Sequence, residues 1–282
     1  MLTQPWVFDD VVVGARFYNS NLEDKVLIGA EGCISKILSL TSPKDAAQSS
    51  AVSQTFMSAA ESDVVWESFL PSDYEDIVST SDSPMDFPSK KQLYFSLCNS
   101  PILLDGGKLS FSLDKKTGKK CFMVAARELG ITWGNTPAYW EWLSHLNSRF
   151  SEVAKLKRVC WLDIRGKIKT RVLSKRTEYF AYLVFKFGDS FYGLGSVNSV
   201  VRFVDSESDN EAERRANVVS FVGQGPRSML PMERDDGWLE LKLGNFFNDT
   251  GEDGDVEARL MEIQYLRWKH GLIVQGIEFR PE

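Results

Sequence analysis

The sequence predicts an α+β chain of two domains, a small helical module followed by an antiparallel β-sandwich of jelly-roll type. Three observations carry this expectation. Residues 31–74 hold four short apolar-striped segments with helix-start signals. Residues 75–92 are rich in Ser, Asp and Pro, which is linker composition. Residues 93–282 break into many short β-branched and aromatic runs between Gly, Asn and Asp turns, with no long helical pattern among them. At 282 residues and 43% hydrophobic content, the chain is long for one domain and comfortable for two.

Residues 1–30 mix apolar and acidic side chains without a clear period and are expected to be irregular. From Cys33 the pattern turns helical: Ile34, Ile37 and Leu38 stand at i, i+3 and i+4 and form one stripe on a helix that ends near Leu40. Ser42 before Pro43 is an N-cap with proline at the first helical position, and Ala46, Ala47 and Ser50 give the next helix a narrow face for close packing. Val52 and Phe56 continue the pattern on a third piece. Ser62-Asp63 can cap a fourth that carries Trp66, Phe69 and Leu70, and Pro71 stops it.

In the second domain Leu93, Phe95 and Leu97 alternate as on a strand, or form one helical turn before Pro101. Leu109, Phe111 and Leu113, then Phe122 to Ala125, read as the arms of a hairpin whose turn carries Lys115, Lys116, Lys119 and Lys120 as a solvated basic tip. Residues 156–168, 178–187 and 199–204 read as strands, and the second, apolar on both faces, belongs at a sheet centre. Residues 206–216 are an exposed acidic connection. Leu239, Leu241 and Leu243 alternate with Trp238, Glu240 and Lys242, which predicts one buried and one solvent-facing side, and residues 256–263 and 271–279 close the domain as strands.

The stretch Ile131–Trp142 stands apart, because three of the eight tryptophans fall in it beside the turn formers Gly134, Asn135, Thr136 and Pro137. A loop that presents rigid aromatic faces with polar tips suits a ligand that is flat on one side and hydroxylated at its edge, such as a sugar ring. Composition alone favours the alternative, that these tryptophans staple a long loop onto the core.

Charge and composition narrow the function. A net charge of -6 disfavours nucleic acid as a partner. The four cysteines share no metal-ligand spacing with the two histidines, so no metal and no disulfide framework is expected, and reduced thiols fit a cytosolic or nuclear protein. There is no signal-peptide pattern or membrane-length apolar run, no GxSxG, P-loop or GxGxxG, and no cofactor is implied. Cytoplasmic residence is expected, with nuclear entry through partners.

Residues 33–74, with SPKDA, VSQTF and VWESFLP in order, resemble an F-box of the plant type. That resemblance implies docking on the Skp-type adaptor of a cullin ubiquitin ligase, with Ile34, Ile37, Leu38, Pro43, Val52 and Trp66 facing or supporting the adaptor. The family's usual Leu-Pro before the first helix is here Gly29-Ala30, which implies weaker docking. From about Lys108 to Pro281, the blocks FSLDKKTGKKCFMVAARELGITWGNTPAYWEW, SEVAKLKRVCWLDIRGKI, YLVFKF, DGWLELKLGNFFNDTGEDGDVEARLMEI and WKHGLIVQGIEFRPE resemble the phloem protein 2 lectin family in unbroken order. This second resemblance implies binding of N-acetylglucosamine-containing glycans through Trp133, Trp140, Asp255 and Glu262, with Tyr139 and Trp142 holding the loop. Together the two imply a non-catalytic recognition subunit of a ubiquitin ligase. The alternatives are a lectin-fold module that reads a polypeptide and, far behind, a glycosidase using Asp255 and Glu262 as its carboxylate pair.

Overall fold

The computed structural model describes residues 24–83, 86–223 and 230–282, with side chains from Glu31 onward. The chain divides into two compact units. Among the described residues, one comprises 24–70 with Phe87–Phe95 and Lys115–Gly118, and the other Pro71–Asp86, Ser96–Asp114 and Lys119–Glu282.

The first unit is built from α1 (Asp24–Leu38), α2 (Pro43–Ser49), α3 (Gln54–Glu61) and α4 (Asp63–Phe69). The Ser-Pro start of α2 forms as the sequence predicts, with the Ser42 hydroxyl accepting from the Asp45 amide at 3.1 Å. Ser53 caps α3 in the same way through the Phe56 amide at 3.3 Å. Trp66 is fully buried, its ring within 5.8 Å of Phe69, 5.3 Å of Tyr94 and 5.0 Å of Phe95, and its indole N–H donates to the Ala60 carbonyl at 2.6 Å. A large aromatic with its one polar atom satisfied can thus centre a core that four short helices could not fill by themselves.

Two expectations for the first hundred residues change, and one left open is settled. Helix α1 begins at Asp24, so residues 24–30 are helical rather than irregular; Leu27, Ala30 and Ile34 continue the apolar spacing backwards, and the Ser35 hydroxyl ties the helix to the Ala59 carbonyl of α3 at 3.1 Å. Residues 1–23 lie outside the described residues. The expected linker contains α5 (Tyr74–Ser79) and the start of α6 (Lys90–Asn99). Leu93, Phe95 and Leu97 are therefore helical, with the Ser89 hydroxyl accepting from the Gln92 amide at 3.2 Å at the helix start.

The second unit is a two-sheet antiparallel sandwich. Its larger sheet has the path β1 (Ile102–Leu104), β2 (Leu109–Leu113), β3 (Lys120–Ala125), β14 (His270–Pro281), β8 (Thr177–Tyr192), β12 (Leu239–Asn248) and β11 (Met232–Glu233); β6 (Val153–Leu156) also pairs with β14, and β5 (Trp140–Leu143) with β6. The smaller has the order β10 (Asn217–Ser220), β9 (Ser196–Phe203), β13 (Asp255–Glu262), β7 (Leu162–Lys169) and β4 (Gly130–Ile131). The two sheets meet closely, since a Cβ on Gly166 of β7 would stand 2.9 Å from the Ile277 side chain of β14. Strand β8 is central and buried on both faces, as its unbroken apolar run predicts.

The run 156–168 is two strands, not one, because β6 ends at Leu156 in the larger sheet and β7 begins at Leu162 in the smaller. The chain changes sheets between them. Residues 206–216 are not a simple exposed connection either. They contain α7 (Asp209–Arg215), opened by a capping box in which Ser208 and Glu211 exchange hydrogen bonds. At the hairpin turn Lys120 is buried and pairs with Asp73 at 2.7 Å, so the basic tip is only partly solvated.

The expected solvent side of β12 is covered. Trp238 packs with Phe150, Val153, Val184 and Ile273 and donates its indole N–H to the Asn147 carbonyl at 2.7 Å. Glu240 is buried in a charge network: Arg234 bridges Glu240 and Glu278, each at 2.7 Å, Arg280 bonds both carboxylates, and Arg149 reaches Glu278 at 2.9 Å. Alternation identifies which residues share a side of a strand. It cannot say that charges of opposite sign on neighbouring strands will neutralise one another beneath a loop. A second such network covers the outer side of the smaller sheet. Arg259 grips Asp163 through two bonds of 2.8 Å, Arg202 holds Glu257 at 2.8 Å, and α7 contributes Asp209 to Arg165 at 2.7 Å and Glu213 to Arg259 at 2.8 Å.

Burial pushes the Glu278 carboxyl up, but the guanidinium groups of Arg234, Arg149 and Arg280 pull it further down, to about 2 from its ordinary 4.5. A depressed carboxyl stabilises the fold fully above its unfolded value, and that contribution drains away as pH falls from about 4.5 toward 2. Glu278→Gln leaves three guanidinium groups short of a partner and is expected to cost about 3–5 kcal/mol in urea denaturation at neutral pH. Its stability should also vary less than the parent's across that acid interval.

Candidate functional site

The aromatic loop after β4 divides its tryptophans between construction and display. Its backbone is tightly turned, with Gly134 N donating to Ile131 O at 2.9 Å, Thr136 N to Trp133 O at 2.8 Å and Trp140 N to Thr136 O at 3.0 Å. The Trp140 indole donates to the Thr132 carbonyl at 3.2 Å and the Trp142 indole to the Gly134 carbonyl at 2.9 Å, so two indoles from β5 clamp either side of residue 133. The Arg127 guanidinium lies 3.8 Å from the Trp142 ring and holds Glu152 through bonds of 2.7 and 3.0 Å, which closes the outer side of that clamp.

Trp133 itself is displayed. It is 44% exposed, its ring is tilted 36° against Tyr139 at 5.1 Å, and its φ of 57° is one that bulky L residues rarely adopt. A large aromatic held in a left-handed conformation costs about 1 kcal/mol or more, and here the surrounding clamp imposes it. Trp140, expected to share the ligand, is only 2% exposed and has no free face. It lies in β5 opposite Leu156, where strand pairing buries it.

The two carboxylates expected in the same site are the first and last residues of β13, which sets them roughly 23 Å apart at the ordinary rise of a strand. Glu262 pairs across to Leu162 of β7, and Thr132 N donates to Asp163 O one residue further on, so Glu262 and Trp133 occupy the same end of the sandwich. Asp255 pairs with Lys169 at the opposite end. Residues 255 and 262 face one ligand only if the segment between them turns back, and it is fully extended instead. Glu262 is largely buried, ion-paired with Lys269, and accepts from the Tyr265 amide at 2.8 Å.

The end that holds Trp133 is rich in exposed large side chains: Phe191 and Tyr192 end β8 there, and Trp161, Tyr265, Leu266 and Trp268 lie in the adjoining loops. Trp161 precedes β7 and is 38% exposed, so it is no core residue. Between the β8–β9 turn and the loop from 263 to 269 lies a cleft of about 760 Å³, lined by Phe191, Tyr192, Val222, Glu262, Tyr265 and Arg267 among others. Sequence reasoning singles out neither wall. The aromatic-glycine run FYGLGS is visible, but only the antiparallel pairing brings it beside the end of β13.

In the helical unit the six residues expected at an adaptor face separate cleanly. Ile37 and Val52 are 62% and 68% exposed, and Ile34 is half-buried. Leu38, Pro43 and Trp66 are buried and act as core. Leu40 and Met57 are further exposed apolar residues of the same unit. Among the described residues, no group of three or more His, Cys, Asp or Glu could hold a metal ion, and no helix is long and apolar enough to cross a membrane.

Residues 119–281 match the profile of phloem protein 2. The F-box protein At2g02240 of Arabidopsis thaliana is 47% identical over 261 residues, which cover 89% of this chain and 78% of that protein. The F-box protein PP2-B10 of the same plant is 46% identical over 254 residues, covering 89% of this chain and 92% of its own length. Among solved structures, a family 35 carbohydrate binding module from Clostridium thermocellum aligns with 57% of this chain and 98% of the module at a TM-score of 0.34 and 11% identity, a likeness too loose to bear on the ligand.

The loop's division of labour is checked by two substitutions with opposite outcomes. Trp140→Ala empties a buried site and removes a clamp, and should cost about 3–5 kcal/mol in thermal or urea unfolding. Trp133→Gly removes an exposed ring from a backbone conformation that glycine prefers, and should leave the melting temperature at or above the parent's.

Proposed function

The chain belongs to the phloem protein 2 group of F-box proteins, and from that membership we propose that it is the non-catalytic recognition subunit of a cullin ubiquitin ligase. Its helical unit docks on a Skp-type adaptor, and its β-sandwich binds N-acetylglucosamine-containing glycans or glycoproteins. Docking rests on Ile37 and Val52, with Leu40 and Met57 as further candidates, because these apolar side chains are exposed while Leu38, Pro43 and Trp66 are buried in the helical core. Gly29-Ala30, which stands where the F-box pattern usually has Leu-Pro, falls inside α1. Restoring the proline there would break the helix interior rather than strengthen docking.

Glycan binding rests on one observation above all: Trp133 is held exposed, in a strained backbone conformation, by two neighbouring tryptophans whose indoles bond the loop on either side of it. A pyranose can stack its C–H face on that indole while its hydroxyls stay at the polar edge of the loop. One such contact contributes about 1 kcal/mol beyond area burial, so a single site binds in the micromolar to millimolar range. The second reading, a polypeptide partner, draws on the exposed Phe191, Leu266 and Trp268 at the same end of the sandwich, since apolar side chains gathered there would suit a protein interface.

Two measurements test the two halves separately. Ile37→Asp with Val52→Asp should abolish co-purification with recombinant adaptor while circular dichroism stays unchanged, because both side chains are exposed; adaptor binding that survives the pair would overturn the docking face. Calorimetry with chitotriose should detect binding by the parent and none by Trp133→Gly. A silent parent that still captures a defined protein partner would favour the polypeptide reading.

A further inference from the structure

Four segments are tied together around the cleft beside the β8–β9 turn. Val159 and Lys269 exchange backbone hydrogen bonds of 3.0 and 2.7 Å, which sets residues 157–161 beside 262–270. Gly193 has φ +72°, and a Cβ there would stand 2.1 Å from the Trp268 carbonyl, so the turn meets the 263–269 loop backbone to backbone. Phe221 N donates to Gly195 O at 3.1 Å, and Val222 just beyond it lines the cleft. Segments bonded to one another in this way hold their surface ready-formed, which lowers the ordering cost for a partner.

What these segments show to solvent is aromatic and cationic. Trp161, Tyr192, Tyr265 and Trp268 are all exposed. The Arg158 guanidinium lies 4.8 Å from the Trp268 ring, Arg267 lines the cleft, and Lys157 donates to the Pro137 carbonyl at 3.0 Å. Among the described residues, none of these three cations has a carboxylate partner. The carboxylates of the same segments are Asp189 and Glu262, and Glu262 is buried on Lys269 and so turned away from any ligand. Three cations against the one exposed carboxylate give this surface a positive balance, in a chain whose net charge is -6.

We propose that this surface docks an acidic segment of a polypeptide, in which Asp or Glu side chains flank an aromatic or leucine anchor. The proposal rests on the polypeptide reading above, to which it gives a partner of stated chemistry, and it is independent of any glycan bound at Trp133. Tryptophan, tyrosine and arginine are the side chains that most often carry the binding energy of protein interfaces, and all three stand exposed here. The cleft of about 760 Å³ takes the anchor between Tyr192 and Tyr265, while the guanidinium groups of Arg158 and Arg267 take the flanking carboxylates, each able to hold two oxygens at once. A positive face on a negative chain also steers: acidic segments are drawn to this end and repelled from the rest of the molecule. In the recognition subunit of a ligase, such a segment marks the protein to be modified.

The test is a random peptide library displayed on phage and selected on the full chain at low ionic strength, followed by calorimetry with the selected sequences as synthetic peptides. Those sequences should carry Asp or Glu beside Trp, Phe, Tyr or Leu, and their affinity should fall as salt is raised. Arg158→Glu with Arg267→Glu should weaken them about tenfold or more, and Tyr192→Ala with Tyr265→Ala about tenfold. Circular dichroism should stay unchanged in both, because all four side chains are exposed. A selection that returns no sequence, or returns neutral or basic ones, would overturn the acidic partner, and so would peptides that either double variant binds as tightly as the parent. Those failures leave the Trp133 reading standing, since chitotriose is measured separately. A parent that is silent toward chitotriose and binds the acidic peptides supports this surface and overturns the glycan reading alone.

Discussion

Strand β14 receives β3 and β6 on one edge and β8 on the other, and it can hold that position only because the charges on its outer side are neutralised. Ile277 and Phe279 point to the inner layer and are fully buried. Glu278 alternates with them and is nearly as buried, in the company of three guanidinium groups. An isolated carboxylate there would carry a desolvation penalty of several kcal/mol, and each arginine by itself would do the same. What makes the arrangement tolerable is that the donors of Arg149, Arg234 and Arg280 arrive from three different segments, a loop, a turn and the strand itself. The charged cluster therefore ties loop, turn and strand together at one place.

The smaller sheet repeats the solution with different residues. Asp163, Glu257, Arg202 and Arg259 are buried across three neighbouring strands, and the short helix α7 completes the balance with Asp209 and Glu213. The Arg165 guanidinium, aided by Arg202, holds the Asp209 carboxyl below its ordinary range, so α7 is attached through charge more than through apolar burial. Both outer surfaces of the sandwich are thereby ordered by ion pairs, which leaves the turns at its two ends as the places where the chain can vary what it presents.

Those ends differ in character. At one, β13 begins at the half-buried Asp255; at the other, Trp133 and the aromatic residues around the cleft are gathered by strands from both sheets. The loop that carries Trp133 shows how a rigid display is made from a flexible segment. Trp140 and Trp142 give their indole N–H groups to carbonyls that flank residue 133, and the strand pairing of β5 with β6 fixes both indoles in turn. A residue can be kept in a sparsely populated backbone conformation only when its neighbours leave it no other, and this loop supplies that condition.

The sequence by itself determined the two-part organisation, the Ser-Pro start of α2, the hairpin of β2 and β3, the central place of β8, and the aromatic loop as the feature to examine. Each is a local pattern, readable from spacing and turn chemistry. The tertiary structure decided everything that depends on what lies opposite. The helical continuity of residues 24–30 with the rest of α1 was not readable from their period. The burial of Glu240 and Trp238 required charges and a loop from distant segments. Trp140 was separated from Trp133 by strand pairing, and Asp255 from Glu262 by the plain length of an extended strand. The cleft was invisible for the same reason, because its walls are more than sixty residues apart in the chain and become neighbours only where β8 and β13 end on the same side of the sandwich. Residue type and spacing can nominate an aromatic face or a carboxylate; which of them share one ligand is set by the sheet that carries them.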